Sequence, residues 1–179
     1  MVGELISLIS LFLSFVLIIF AWSMIFFSFF GPPAVPTPKK IIKETFKEIS
    51  PKKGDVFIDL GSGYGSVVKM VVKEYGVEGL GIEINPLLIW WSRLSIYIAG
   101  LKNIKFKREN FFKTDLTKAD IVFMYLLPKY LPKMAEKIKK ECKSGTMVIS
   151  QRFFIEDLEK YLIKEIERKH NSTYFYQME

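Results

Sequence analysis

The 179-residue chain reads as an α/β protein: a doubly wound, mostly parallel sheet with one antiparallel C-terminal strand, preceded by one N-terminal transmembrane helix. Three observations predict this. Short apolar runs alternate with helix-period segments from Lys39 onward, a turn with three glycines follows the first of those runs, and residues 5–30 carry no charge.

The segment LISLISLFLSFVLIIFAWSMIFFSFF, Leu5 to Phe30, would span about 39 Å as a helix rising ~1.5 Å per residue. A bilayer's hydrocarbon core is about 30 Å thick, so a tilt or a frayed end is expected. A cleaved signal peptide has a shorter apolar region behind a basic cluster, and a core helix keeps one polar face; the segment has neither feature. Glu4 alone precedes it, whereas Lys39, Lys40 and Lys43 follow, so the positive-inside rule puts the C-terminal part in the cytoplasm of a single-pass cell-membrane protein. Richness in Lys, Ile and Phe without an Arg-rich presequence points to a microbial membrane rather than a mitochondrion. The division expected is an anchor at 1–30, a Pro-rich linker at 31–38 and one domain at 39–179. The linker, GPPAVPTP, holds four prolines and cannot continue a helix.

Residues 39–50 place Ile42, Phe46 and Ile49 on one helical face, with Thr37 as a cap and Pro38 as a first helical residue. Asp55 to Leu60 is the first strand, Ser66 to Tyr75 a helix closed by Gly76, and Gly79 to Ile84 the second strand. Asn85 and Pro86 start a helix that runs to Gly100. Ile104 to Arg108 and Ile121 to Tyr125 follow as strands. Leu131, Met134, Ala135, Ile138 and Cys142 make a helical stripe before the fifth strand, Thr146 to Ser150. Tyr161 to Glu167 and Thr173 to Met178 flank the turn at His170, Asn171 and Ser172 as a terminal hairpin, which inserts one antiparallel strand.

The formal charge is +7, and with Glu4 set aside the part after the apolar segment carries +8. Anionic lipid suits such a surface. The lysines are scattered, which favours a solvated face over a nucleic-acid site. Cys142 and His170 are the only residues of their types, so an intrachain disulfide is impossible and no metal is expected. A Ser-His-Asp triad would have to use His170 in its polar turn.

In an open doubly wound sheet the ligand crevice lies beyond the carboxyl ends of the strands. Asp59, Gly61, Ser62, Gly63 and Gly65 belong there, in a D-x-G-x-G-x-G turn whose glycines bring backbone against a ligand. A dinucleotide site would want a further glycine where Ser66 stands. The spacing therefore suits a ligand with an adenosine and a small amino-acid tail but no pyrophosphate. Glu83, 22 residues beyond Gly61, ends the second strand, where a carboxylate can accept from both ribose hydroxyls. The plainer alternative is a generic turn, with Glu83 a surface charge paired with a lysine.

The segments VPTP, DLGSGYG, GIEINPLLIWWSR, KFKRENFFKTDL and YLLP, in this order over 35–150, resemble the family of ATP synthase c-subunit and adenine nucleotide translocase lysine methyltransferases and their archaeal relatives. The resemblance implies the Rossmann-like fold of class I methyltransferases and S-adenosylmethionine as cofactor. It implies Asp59 and the Gly61 to Gly65 loop near the methionine end, Glu83 at the ribose with Ile84 and Asn85 beside it, and Asn110 with Phe111 near the adenine. Asn110 stands where such enzymes usually carry an aspartate, and an amide oxygen can still accept from the adenine amino group. Tyr64 and Ser66 replace the Asp and Arg that often flank the third glycine, and the C-terminal stretch lacks the family's usual Pro/Trp features. The resemblance also suggests a lid from Val35 to Pro38, carrying Thr37. Tyr125, Leu126, Leu127 and Pro128 close the fourth strand where class I methyltransferases place the acceptor; for Leu126 and Leu127 the alternative is packing beneath a loop.

A protein lysine is the substrate implied, on membrane-associated proteins that the tether would concentrate. Transfer from a sulfonium to an amine is an in-line displacement, so alignment dominates and an apolar channel mouth favours the neutral amine. Tyr125 would orient or confine the nitrogen. No dedicated acid or base stands out. RNA, a small molecule or lipid as acceptor, or a non-catalytic cofactor-binding domain, are the competing readings.

Overall fold

The computed structural model describes residues 2–30, 35–169 and 171–179. The first part of the linker, residues 31–34, and His170 lie outside these. The chain divides into two units, Met1–Pro33 and Ala34–Glu179.

The first unit contains α1, Val2–Phe30. Its stretch Gly3–Ile25 has a mean hydropathy of 2.7, and at ~1.5 Å per residue it is about 34 Å long, sufficient by length and composition to cross a bilayer. The hydroxyls of Ser7 and Ser23 donate back to the carbonyls of Gly3 and Phe20, so neither exposes an unmet donor to an apolar surrounding.

The second unit follows the expected order. Lys39–Ile49 forms α2, Val56–Leu60 β1, Ser66–Tyr75 α3, Glu78–Glu83 β2, Pro86–Ile98 α4, Ile104–Arg108 β3, Ile121–Met124 β4, Leu131–Glu141 α5, Met147–Gln151 β5, Leu162–Ile166 β6 and Thr173–Gln177 β7. The sheet order is β3-β2-β1-β4-β5-β7-β6, and the first five strands run parallel. β7 is the antiparallel strand, slotted between β5 and β6. The order reverses at β1 and β4, which puts the switch point where the glycine turn leaves β1.

Alternation along each strand sorts the core into two layers. Phe57, Phe106, Phe123, Ile149 and Phe175 face α2 and α3, meeting Ile42, Phe46, Val67, Val68 and Val71. Ile58, Leu60, Val122, Met124, Val148 and Tyr176 face the other way, meeting Leu131, Met134, Ala135 and Ile138 of α5 and Leu158 of the 3-10 turn at Glu156–Tyr161. The buried Tyr176 hydroxyl accepts from Ile155 N at 2.8 Å, satisfying its polar tip.

One detail differs from the sequence reading. Thr37 does not cap α2: Pro38 holds an extended ψ of 138°, so the helix begins at Lys39, Pro38 occupies the cap position, and Thr37 lies one residue too far back. The crossover from β3 to β4 carries only a single 3-10 turn, Phe111–Lys113, because its Asn, Asp and Thr residues prefer local side-chain bonds to a continuous helix. Lys105 and Lys107 on the edge strand β3, and Lys164 and Glu165 on the edge strand β6, keep both open edges charged.

Candidate active site

The loop from Gly61 to Gly65 is a set of left-handed turns, with φ of 82° at Gly61, 53° at Gly63 and 70° at Gly65. Only glycine takes these angles without strain. At Gly65 a side chain would also run into the Phe106 ring, which lies across Gly65 and Gly81. The third glycine therefore lets α3 approach β2 and β3 closely.

The loop is tied to β2 and to α4. Gly61 N and Ser62 N donate to Ile82 O at 2.9 and 2.8 Å, and Gly63 N donates to Glu83 Oε2 at 3.0 Å. Ser92, buried on α4, donates to Gly63 O at 3.2 Å. Glu83 Oε1 accepts from Ile84 N and Asn85 N at 2.8 and 2.9 Å. A carboxylate offers about four acceptor positions, so three backbone amides leave about one, on Oε2. A surface charge paired with a lysine does not describe Glu83: among the described residues its carboxylate is held by three main-chain amides.

Asp59 is buried on the α3 side of β1, and burial, helped by the nearby Glu83 charge, pushes its carboxyl up to about 8. Among the described residues, its Oδ2 and the hydroxyl of Ser62 are buried without a hydrogen-bond partner. Unmet buried polar atoms are costly, and Asp59 at the end of β1 and Ser62 in the loop after it are two of them.

Asn85 is buried and spends its side chain on α4, accepting from Leu87 N and Leu88 N at 2.9 and 3.4 Å. Ile84 is exposed at the crest. Glu109 N donates to Glu83 O at 3.1 Å, which brings Asn110 to the same end of the sheet. The Asn110 amide oxygen accepts from Phe112 N at 3.0 Å, capping the 3-10 turn, and retains one further acceptor position. Phe111 is half-buried in an aromatic cluster with Phe112 and Tyr130, at ring distances of 4.6 and 5.6 Å.

Of the four residues after β4, Leu126 is buried and lies 3.2 Å from where a Gly61 Cβ would stand, so it packs beneath the loop. Leu127 is half-buried and Pro128 is exposed at the start of a second 3-10 turn. Tyr125 is half-buried, with its ring 6.4 Å from Phe153. Thr37 is buried ahead of α2, and among the described residues no hydrogen bond joins it to the glycine loop. Cys142 stands just past α5, at its C-cap, its thiol pushed up to about 12 chiefly by burial, which suppresses thiolate chemistry.

Sequence reasoning missed Ser92, Arg93 and Arg152. Ser92 was the one polar residue at an inward position of an apolar helix, a readable signal. Arg93 Nε and Nη2 donate to Phe106 O at 3.1 and 2.8 Å, clipping α4 to β3. Arg152 has a φ of 76°, which no pattern in the sequence announces.

A doubly wound sheet with an inserted antiparallel strand, and a D-x-G-x-G-x-G loop clamped by an acid at the end of β2, define a class I methyltransferase domain. Residues 59–161 match the family described as the ANTKMT methyltransferase domain, and the chain belongs to that family. A protein-lysine N-methyltransferase of Saccharolobus islandicus is 32% identical over 125 residues, covering 69% of this chain and 78% of its own. A lysine N-methyltransferase of Mus musculus, named for the ATP synthase c-subunit, is 30% identical over 122 residues, covering 68% of this chain; the match spans about half, 49%, of that relative's length. An RNA methyltransferase from Salinibacter ruber, solved with S-adenosyl-L-homocysteine, superimposes with a TM-score of 0.75 at 28% identity, covering 80% of this chain and 94% of its own.

Proposed function

We propose that the chain transfers methyl groups from S-adenosylmethionine to lysine side chains of proteins, from the cytoplasmic side of a cell membrane in which α1 is anchored. The observation that carries this reading is the bond from Gly63 N to Glu83 Oε2, which joins the glycine loop to the β2 acid at one crest beside the unpartnered Asp59.

The residues present fit such a donor. The buried, unpartnered Asp59 carboxyl suits an α-ammonium, whose positive charge offsets the burial that raises its pKa. The spare acceptor position on Glu83 Oε2 suits a ribose hydroxyl, and the second acceptor position of Asn110, with Ile84 and Phe111 nearby, suits an adenine. When bound, the donor supplies an electrophilic methyl group. Around it, Tyr125 orients the lysine nitrogen with its hydroxyl while the apolar surfaces of Leu127 and Phe153 favour the neutral amine. Val35 to Pro38, with the buried Thr37, forms a lid or a spacer. The relatives named for lysine methylation, one of them for a component of ATP synthase, support a protein substrate.

RNA is the second reading, favoured by the Salinibacter neighbour. The test is incubation of the full-length protein in membranes with methyl-labelled donor, together with membrane proteins and total RNA. Label on lysine of membrane-fraction proteins is the result expected; label confined to RNA would replace the first reading by the second. Protease access to the C-terminus in sealed cells checks the orientation, and cleavage from outside contradicts it.

A further inference from the structure

The outward face of α4 is apolar along its length. Leu87, Trp90, Trp91, Leu94, Tyr97 and Ile98 fall within one sector of about 120° at ~100° per residue. Leu88, Ile89 and Ser92 occupy the opposite, buried sector. Trp90 is 62% exposed, Trp91 52%, Tyr97 84% and Ile98 75%. A surface helix ordinarily carries its polar residues on this side, and a contiguous apolar patch marks a site of association.

Three features identify the occupant. Trp and Tyr pair an apolar body with a polar tip, the chemistry that settles at the boundary between lipid headgroups and acyl chains. Only residues 31–38, four of them prolines, intervene between α1 and the start of α2, and at full extension of ~3.6 Å per residue such a tether cannot exceed about 29 Å. The charge complements anionic headgroups: α4 contains no acidic side chain, Lys102 follows it, and the part of the chain beyond α1 carries +8, the total of +7 with the single negative charge of Glu4 taken out.

We propose that α4 lies flat in the interface of an anionic bilayer, seated by Trp90, Trp91 and Tyr97, as a second attachment that fixes the orientation of the domain. The proposal rests on the reading of α1 as a membrane anchor. At about 20 Å the helix has the length of an interfacial element rather than a span.

The three tryptophans, Trp22, Trp90 and Trp91, separate the two claims. Full-length Trp22→Phe protein in vesicles leaves Trp90 and Trp91 as reporters; the double variant Trp90→Phe, Trp91→Phe leaves Trp22. In vesicles of anionic phospholipid, the expected result is a blue-shifted Trp90/Trp91 emission, quenched by lipids brominated near the headgroup and protected from aqueous iodide. Trp22, about 12 Å from the middle of the Gly3–Ile25 stretch, should be quenched by lipids brominated along the acyl chain. Iodide quenching of Trp90 and Trp91 with Trp22 still quenched by lipid overturns the α4 proposal and leaves the anchor standing. Protection of Trp90 and Trp91 from both iodide and lipid shows that a protein surface, α1 or a second copy, covers them, and also overturns it. Loss of lipid quenching at Trp22 defeats the anchor, and the α4 proposal with it.

Discussion

Arg152 Nη1 donates to the hydroxyl of Tyr125 at 3.1 Å, linking the chain just past β5 to the chain just past β4. Arg152 holds a φ of 76°, its amide donates to Ser172 O, and its guanidinium lies 5.5 Å from the Phe153 ring centre. Left-handed backbone at a non-glycine residue costs roughly 1 to 3 kcal/mol, so three separate contacts hold a strained residue beside the acceptor end of the sheet.

With a guanidinium donating to it, the Tyr125 oxygen is fixed as an acceptor and its own proton is left to turn elsewhere. Arg152→Ala is expected to lower the acceptor kcat/KM about ten-fold, matching a bond to a charged group worth ~1.5 kcal/mol, with donor affinity unchanged. Arg152→Gly should show the same acceptor defect while unfolding at higher denaturant than Arg152→Ala, because glycine relieves the backbone strain. Steady-state kinetics and denaturant titration read the two effects, and equal stability of the two variants would remove the strain argument.

Glu83→Ala leaves the Gly63 amide without its anchor and removes the acceptor next to the glycine loop. Donor affinity measured by calorimetry is expected to fall by at least ten-fold, since a hydrogen bond to a charged group is worth roughly 1.5 to 3 kcal/mol. Unchanged affinity in a folded variant would show that Glu83 serves the loop alone.

Asp59 makes ligand-free stability depend on pH. Its folded carboxyl is raised to about 8 from an ordinary 3.8, so between these values the native state holds a proton that the unfolded state has released. Stability therefore falls as pH rises from about 4 to about 8 and levels off above. Thermal melts across this range should show the decline, and Asp59→Asn should flatten it. An ammonium-bearing donor favours the ionised carboxylate, so binding near neutral pH should release a proton, seen by calorimetry in buffers of different ionisation heat.

Gly65→Ala forces a side chain onto a left-handed residue and into the Phe106 ring. The expected cost is about 2 to 4 kcal/mol, the sum of backbone strain and overpacking. Gly100 has a similar φ of 65° but open space around it, so Gly100→Ala should cost only the strain, about 1 kcal/mol. Denaturant titration of the two variants checks the difference.

The sequence was most legible where local chemistry and tertiary packing agree. Ser66–Tyr75 and Ile104–Arg108 lie where the periodicity puts them, and Asn85 with Pro86 starts α4 as a cap and first residue should. The convergence of Gly63 and Glu83 was readable because the acid closes the strand next to the glycine turn. Less legible was the division of labour among polar atoms. Asn85 and Asn110 spend acceptor positions on capping their own helices, a competition between backbone and ligand that spacing does not reveal. Leu126 was open between channel and core, and only the approach to Gly61 assigns it to packing. The outward tryptophans of α4 read as helix-forming residues, because periodicity records the presence of an apolar face but not which apolar face stays uncovered.

β7 is last in sequence yet internal in space, paired on both sides by β5 and β6. The sheet therefore cannot be completed on the ribosome until residues 173–177 have emerged from the exit tunnel. Until then the β5 edge is open, and premature termination upstream of Thr173 would leave an aggregation-prone nascent chain rather than a smaller working domain.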